Sequence, residues 1–178
     1  MAGTALSTFD HLLTELVRSL PAHRVLDVGA GAGKNAGACL LANPQVRLMG
    51  LEPYAPSHVE CQDYYRQAYR EGVLCQTATE FFAGSPDELF DVVVFGDVLE
   101  HMWHGEALNC IHAALHRSKR VFAVWPTRYL QGSLAGNDLE AHRCELQLSD
   151  FANLPVETFM RRYDGPHLMN MVVLTGYR

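Results

Sequence analysis

Three glycines stand at alternate positions directly after a short apolar run that contains one carboxylate. Asp27 lies in that run, and Gly29, Gly31 and Gly33 follow it in the stretch VLDVGAGAG, residues 25–33. Glycine lets the backbone approach a ligand closely, and a helix that follows such a turn presents unpaired amide groups. Turns of this kind hold dinucleotides, nucleoside triphosphates or methyl-donor nucleosides.

Two of these ligand classes fit the residues poorly. A P-loop requires G-x-x-x-x-G-K-[ST], but Val28 and Asn35 stand where the first glycine and the hydroxyl residue belong. A dinucleotide fingerprint, G-x-G-x-x-G, ends on Lys34 when it begins at Gly29, and it starts two residues late when it begins at the next glycine. The pattern D-x-G-x-G-x-G, by contrast, is complete.

Two later segments carry further groups that could bind or react. Glu52 follows the apolar run VRLMGL, and a carboxylate there could accept from two ribose hydroxyls, a device that NAD enzymes share. The segment DVVVFGDVLEHM, residues 91–102, carries Asp97 and His101 in its second half. His101 is a candidate general base because the ordinary histidine pKa lies near neutrality; the alternative is that its ring caps the corner of the chain.

These groups are positioned by an alternation of helices and short apolar strands, which indicates a parallel sheet covered on both faces. A short turn with a helix-start signature is expected at residues 85–88. The pattern predicts strands at 24–29, 46–52, 72–78, 91–96 and 120–125, and helices over 8–20, from the glycine turn to about 43, from Ser57 and Glu60 to about 72, and over 104–117.

The remainder of the chain has a different texture. Residues 126–148 are polar and show neither helical nor strand periodicity, so we predict a functional lid loop over the active face. His142 and Arg143 lie on this loop and could bind substrate, although such residues are common on a solvated loop. A short helix at 149–154 and two strands joined by the turn DGPH complete the chain, interpreted as one domain over 1–178.

The glycine turn and the segment D-V-L-E-H together resemble class I methyltransferases of the small-molecule type, which use S-adenosylmethionine (SAM). The resemblance covers roughly residues 20–130. It implies an α/β three-layer sandwich: a seven-stranded, mostly parallel sheet with an antiparallel last strand and helices on both faces. It also implies SAM as the cofactor and S-adenosylhomocysteine as its product.

The resemblance further implies where the cofactor lies. Asp27 and the glycine turn would hold the amino-acid end of SAM and Glu52 the ribose, while Thr77 stands where the family often has an acidic adenine contact. Catalytic candidates are His101 and His142. The implied cofactor-binding residues are Asp27, Gly29, Gly31, Gly33, Glu52, Pro53, Thr77, Ala78, Gly96 and Asp97.

Composition narrows the partners. The net charge is −6 and the basic residues are scattered, which disfavours nucleic acid. FGDV also stands where amino-directed nucleic-acid methyltransferases carry [DN]-P-P-[YF]. The chain opens without a signal peptide and has no apolar run of membrane-spanning length, so we expect a cytoplasmic protein without membrane contact. The five dispersed cysteines fit reduced thiols.

Histidine spacing gives little support for a metal. His101 and His104, or His112 and His116, could share a helix face, but no carboxylate completes a ligand set, so we expect ordinary surface histidines and no metal site.

The sequence thus favours methyl transfer from SAM to an oxygen or nitrogen of a small-molecule metabolite by in-line displacement. A protein or peptide side-chain methyltransferase, an NAD-dependent enzyme and a non-catalytic SAM-fold binding protein are the alternatives. Only about twenty residues precede the first predicted strand, so closure of the acceptor site falls to the lid loop or to the second subunit of a homodimer.

Overall fold

The computed structural model describes residues 8–20, 22–59, 67–84, 87–134 and 136–178. Short 3-10 turns occupy Leu99–His101, Asp138–Glu140 and Leu148–Phe151, and residues 55–59 are helical. The strands are β1 (Arg24–Val28), β2 (Arg47–Leu51), β3 (Val73–Leu74), β4 (Phe90–Gly96), β5 (Ser118–Thr127), β6 (Val156–Asp164) and β7 (His167–Thr175). The longer described helices are α1 (Asp10–Ser19), α2 (Lys34–Ala42), α3 (Ala78–Gly84) and α4 (His104–Leu115).

The seven strands form one sheet in the order β3-β2-β1-β4-β5-β7-β6. The pairs among β1 to β5 are parallel, and β7 runs antiparallel to both of its neighbours. The predicted mixed sheet with an antiparallel last strand is therefore confirmed. The strand order reverses between β1 and β4, where a doubly wound sheet opens a crevice at the carboxyl ends of its strands.

Side chains at alternate strand positions pack into two separate hydrophobic cores, one on each face of the sheet. In β4, Val92 and Val94 pack in the core that α1 and α2 cover, whereas Val93 and Phe95 pack in the core that α3 and α4 cover. These four residues are almost fully buried. Because both faces are covered, the strand is apolar throughout, and this is the pattern that predicted a parallel sheet.

The chain departs from the prediction around β3. This strand is only two residues long, and residues assigned to its end instead begin α3. Thr77 and Glu80 form a reciprocal cap: the Glu80 carboxylate accepts from Thr77 N at 2.9 Å, and Thr77 Oγ1 accepts from Glu80 N at 3.2 Å. Because this cap satisfies the first amide groups of α3, the helix begins at Ala78, before the turn predicted at 85–88.

Several predicted features lie outside the described residues. They are the helix expected after Ser57 from residue 60 to 66, and the helix-start signature at Ser85 and Pro86.

Candidate active site

A cavity of about 930 Å³ opens at the point where the strand order reverses. This volume lies toward the upper end of the range for small-molecule sites. The carboxyl ends of β1, β2 and β4 border the cavity, together with the segment after β5. Residues that are far apart in the sequence therefore share one site because parallel strands present their carboxyl ends at one edge.

The glycine turn forms one wall of this cavity through backbone conformations that favour glycine. Gly29, Gly31 and Gly33 have φ angles of 71°, 48° and 84°. A Cβ atom on Gly29 would lie 2.9 Å from Val98 Cγ2. Gly29 and Gly31 line the cavity, whereas Gly33 is the residue that precedes α2 and is not among the lining residues.

Glu52 is buried next to this turn, with only 8% of its surface exposed, and it lines the cavity. Its carboxylate accepts from Gly31 N and from Tyr54 N, each at 2.9 Å. Burial raises the pKa of Glu52, and these two backbone bonds oppose the rise. Each oxygen retains a lone pair, so the carboxylate can also accept from ribose hydroxyls. The glycine turn and Glu52 thus fit the adenosine and amino-acid parts of SAM.

Asp27 lies below the turn rather than in the cavity wall. It is fully buried, Oδ1 accepts from Asn35 Nδ2 at 2.8 Å, and Oδ2 accepts from the Tyr69 hydroxyl at 2.5 Å. Burial raises the pKa of Asp27 to about 6 despite these bonds. The amide of Asn35 in turn lies so close to Gly96 that a Cβ atom there would be 2.6 Å away. Asp27 is therefore bonded to Asn35 and Tyr69 behind the glycine turn and does not line the cavity.

Asp97 stands at the end of β4 with a φ angle of 55°, a left-handed conformation that is uncommon for a residue other than glycine. Its carboxylate lies 3.4 Å from Lys34 Nζ at the start of α2. Burial raises the pKa of Asp97, and Lys34 opposes the rise. The left-handed backbone and the ion pair fix this carboxylate at the cavity wall.

Thr77 and Ala78 line the cavity at the start of α3. The hydroxyl of Thr77 donates to Glu80 at 2.8 Å and its oxygen accepts from Glu80 N, so only one lone pair of that oxygen is left to accept from a ligand. Pro53 and Gly96 line the same space.

His101 and His142 meet across the cavity wall although they are distant in the sequence. Their ring centroids are 4.8 Å apart, and the rings pack edge to face. Burial first, and His142 second, lower the pKa of His101 to about 4; burial also lowers the pKa of His142. Both imidazoles are therefore neutral near pH 7.

The predicted lid loop brings His142 to this position. Arg143 Nη1 donates to the carbonyl oxygen of His101 at 2.6 Å, and Arg143 Nη2 donates to that of Asp138 at 2.7 Å. Arg143 N donates to the carbonyl oxygen of Glu100 at 2.8 Å. Tyr129 adds a ring contact to His142, with 5.1 Å between the centroids. The loop is thus bonded to the turn that follows β4.

Ten of the twelve residues predicted for the site line the cavity, and Asp27 and Gly33 are the two that do not. Sequence reasoning missed other lining residues because neither a motif nor a period marks them. Glu100 lay within the quoted D-V-L-E-H segment, and that position was its only signal. The further lining residues with polar side chains include Lys34, Gln76, Glu100, Tyr129, Asn137, Glu140 and His167. Arg143, which was expected beside His142 as a possible substrate contact, also lines the cavity.

Comparison with known proteins gives a family match. The model of the family described as a methyltransferase domain matches residues 26–123, more than half of the chain. No curated protein matches.

Among the helices that the structure describes, none is both long and apolar enough to cross a membrane.

Solved structures share the fold. An O-methyltransferase family protein from Burkholderia thailandensis superposes with a TM-score of 0.63 at 15% identity, covering 96% of this chain and 56% of that protein. Magnesium protoporphyrin IX methyltransferase from Synechocystis PCC 6803, solved with bound SAM, superposes with a TM-score of 0.65 at 16% identity, covering 96% of this chain and 78% of that protein. The N-terminal domain of EvdMO1, solved with S-adenosylhomocysteine and D-fucose, gives 0.63 at 17%, covering 94% and 82%. The chain thus spans little more than half of the Burkholderia protein.

Proposed function

The chain belongs to the methyltransferase domain family, whose members use S-adenosylmethionine, and on this premise we propose that it transfers the methyl group of SAM to an oxygen or nitrogen of a small-molecule metabolite. One observation carries the proposal. A single cavity is lined both by the glycine turn with Glu52 and by the neutral imidazoles of His101 and His142.

The cofactor side of the proposal rests on the residues around the glycine turn. When bound, SAM supplies a methyl group on a positively charged sulfur, which makes the methyl carbon open to in-line displacement. Glu52 accepts from the ribose hydroxyls, and the left-handed glycines let the backbone approach the amino-acid end. Thr77 and Ala78 contact the adenine, and Asp97 with Gly96 borders the methyl side.

The acceptor side needs alignment more than strong acid or base chemistry. Holding a nucleophile at roughly 3 to 3.5 Å from the reacting carbon contributes on the order of 7 to 11 kcal/mol. A general base adds about 10² to 10⁴-fold and is most effective when its pKa is near the working pH. His101, whose pKa is about 4, can receive a proton at neutral pH but is a weak base. Its proposed role therefore suits an acceptor that is already acidic.

A small acceptor is favoured by the size of the cavity and by the negative net charge of the chain. The lid loop contributes Tyr129, Asn137 and His142 to the cavity wall, so it borders one side of the space next to the glycine turn. The net charge of −6 disfavours a polyanionic substrate.

Calorimetric titration of the chain with SAM, S-adenosylhomocysteine and NAD tests the cofactor assignment. We expect binding of SAM and S-adenosylhomocysteine and no heat with NAD, since the glycine turn departs from the dinucleotide fingerprint. Binding of NAD in preference to SAM, or no binding of any of the three at sub-millimolar concentrations, would contradict the proposal.

Methyl transfer itself is tested by S-adenosylhomocysteine formation with a panel of phenols, carboxylic acids and amines. With a compound that reacts, His101→Asn should lower kcat more than SAM affinity, whereas the exposed His112→Asn on α4 should change neither. An unaltered kcat in His101→Asn would leave this histidine a purely structural role.

A further inference from the structure

We propose that Glu100, His101 and His142 form a binding site for a divalent transition metal, with zinc as the best match. One potential ligand atom from each of the three side chains lies within 4.8 Å of the others. Sequence spacing does not predict this set, because a carboxylate and an imidazole on the turn after β4 are completed by an imidazole from the lid loop.

The carboxyl group of Glu100 has one buried oxygen without a hydrogen-bond partner among the described residues. Only 3% of the residue is exposed, and Oε2 makes no hydrogen bond with any part of the chain that the structure describes. A buried polar oxygen without a partner carries a desolvation cost that native structures rarely leave uncompensated. A cation beside Oε2 would compensate it.

His101 presents a second buried atom of the same kind. Its Nδ1 has no hydrogen-bond partner among the described residues. Glu100 and His101 occupy consecutive positions of a 3-10 turn, and both line the cavity. Two adjacent side chains thus each leave a buried polar atom unpartnered next to one space.

His142 already has the outer contact that a ligating histidine needs. Its Nδ1 lies 2.6 Å from the carbonyl oxygen of Tyr129. A carbonyl oxygen can only accept, so Nδ1 carries the proton and Nε2 carries the lone pair. Metal-binding histidines typically donate their second ring nitrogen in this way, which fixes both the tautomer and the ring orientation.

Backbone contacts hold the two halves of the site together without the metal. Arg143 N and Cys144 N donate to the carbonyl oxygen of Glu100 at 2.8 and 3.3 Å. The side chain of Arg143 donates to the backbone carbonyl oxygen of His101. Ligand atoms bound to one metal at about 2.1 Å in tetrahedral geometry lie roughly 3.4 Å apart, so separations of up to 4.8 Å need to contract by as much as about 1.4 Å.

The donor set selects the class of cation. Two imidazoles and one carboxylate bind zinc and related transition metals, whereas magnesium and calcium prefer oxygen ligands. Three protein ligands leave coordination positions open, and the three residues line the cavity, so the metal would face the acceptor.

The role of the metal in the reaction rests on the proposed function. An acceptor hydroxyl bound to the metal becomes more acidic and releases its proton to solvent. The acceptor oxygen then forms a bond to the methyl carbon, the carbon to sulfur bond breaks, and its electron pair stays on sulfur. Metal binding and proton acceptance by His101 are alternative roles for that imidazole.

Calorimetric titration of the chelator-treated full chain with Zn²⁺, and separately with Mg²⁺, tests the site. We expect one zinc per chain, weaker or absent magnesium binding, and weaker zinc binding by at least about 10- to 100-fold in Glu100→Gln and in His142→Asn. His142→Asn lies on the lid loop and should fold even if the buried Glu100→Gln does not. The matched control is His112→Asn, on an exposed face of α4.

Equal zinc affinity in His142→Asn and His112→Asn, no zinc binding by the parent chain, or preference for magnesium would overturn the proposal. Cobalt substitution gives a second measurement, since the visible spectrum of bound Co²⁺ should change in His142→Asn and not in His112→Asn. SAM titration of the same samples separates the two proposals. SAM binding without zinc binding refutes only the metal site, and zinc binding without SAM binding refutes only the methyltransferase function.

Discussion

At the scale of single residues, Glu52 connects the glycine turn to the proposed ribose site. Its two oxygens accept from Gly31 N and Tyr54 N, so the carboxylate orders the backbone on both sides while it faces the cavity. A neutral amide at this position would accept through one oxygen only, and its amino group would face a donor.

We therefore expect Glu52→Gln to weaken SAM binding by about 10- to 100-fold, because hydrogen bonds to a charged group contribute roughly 1.5 to 3 kcal/mol. Calorimetric titration with SAM measures the change. Glu15→Gln, at an exposed carboxylate of α1, is the matched control and should bind SAM as the parent does. Unchanged affinity in Glu52→Gln would contradict the ribose assignment.

Asp27 gives a prediction of pH dependence. Its pKa is raised from an ordinary value near 3.8 to about 6 in the folded chain, chiefly by burial. The folded chain thus holds the proton more tightly than the unfolded chain. The stability from this group is fully present below about pH 4 and is lost as pH rises through 6, a change of up to about 3 kcal/mol.

Urea unfolding of the parent and of Asp27→Asn between pH 4 and pH 7 measures this contribution. In the variant the amide oxygen can still accept from Asn35, and the amide NH₂ can donate to the Tyr69 hydroxyl. The difference in unfolding free energy, parent minus variant, should fall as the pH rises over this interval. A constant difference would show that Asp27 does not titrate there.

At the scale of elements, the glycine turn and α2 act as one unit. Gly29 combines a positive φ with the contact that a Cβ atom would make to Val98, while Gly37 lies within α2 with open space around it. The same substitution at the two positions therefore separates backbone strain from helix propensity.

Gly29→Ala should lower the unfolding free energy by roughly 1 to 3 kcal/mol, because alanine is strained in the left-handed region. Gly37→Ala should raise it by roughly 0.5 to 1 kcal/mol, because alanine favours a helix interior. Urea unfolding measures both, and only the first variant should also lose SAM affinity. Equal effects on stability would contradict the account of the turn.

At the scale of the whole molecule, the lid loop, which follows β5, is bonded to the turn after β4. Arg143 makes this connection by donating to the carbonyl oxygen of His101, and it also donates to that of Asp138 within the loop. Trp125 Nε1 donates to the carbonyl oxygen of Leu146 at 3.0 Å, and the Trp125 ring stacks on Phe151, which anchors the end of the loop in the core.

We expect Arg143→Ala to speed hydrogen exchange in residues 136–147 by about tenfold or more, while the unfolding of the sheet is nearly unchanged, because hydrogen bonds from a charged donor contribute on the order of 1.5 to 3 kcal/mol locally. Hydrogen exchange followed by mass spectrometry measures this. Arg128→Ala is the control, since that side chain is 86% exposed. Equal exchange in the two variants would show that Arg143 does not hold the loop.

Local pattern and its limits account for the success and failure of the sequence predictions. The apolar runs of β1, β2 and β4 predicted a parallel sheet because both of its faces are covered, and the closing hairpin appeared as β6 and β7. Helix α3 was missed because Thr77 was assigned to the end of a strand and Glu80 to no element, although their spacing is that of a reciprocal cap.

The sequence by itself determined the order of the strands along the chain, the glycine turn and the family resemblance, because each depends on neighbouring residues. Only the tertiary structure decided that Asp27 lies beneath the turn, bonded to Asn35 and Tyr69, and that His142 meets Glu100 and His101. Such meetings depend on how the lid loop packs across the sheet edge. Local periodicity carries no information about a contact between segments that are distant in the sequence.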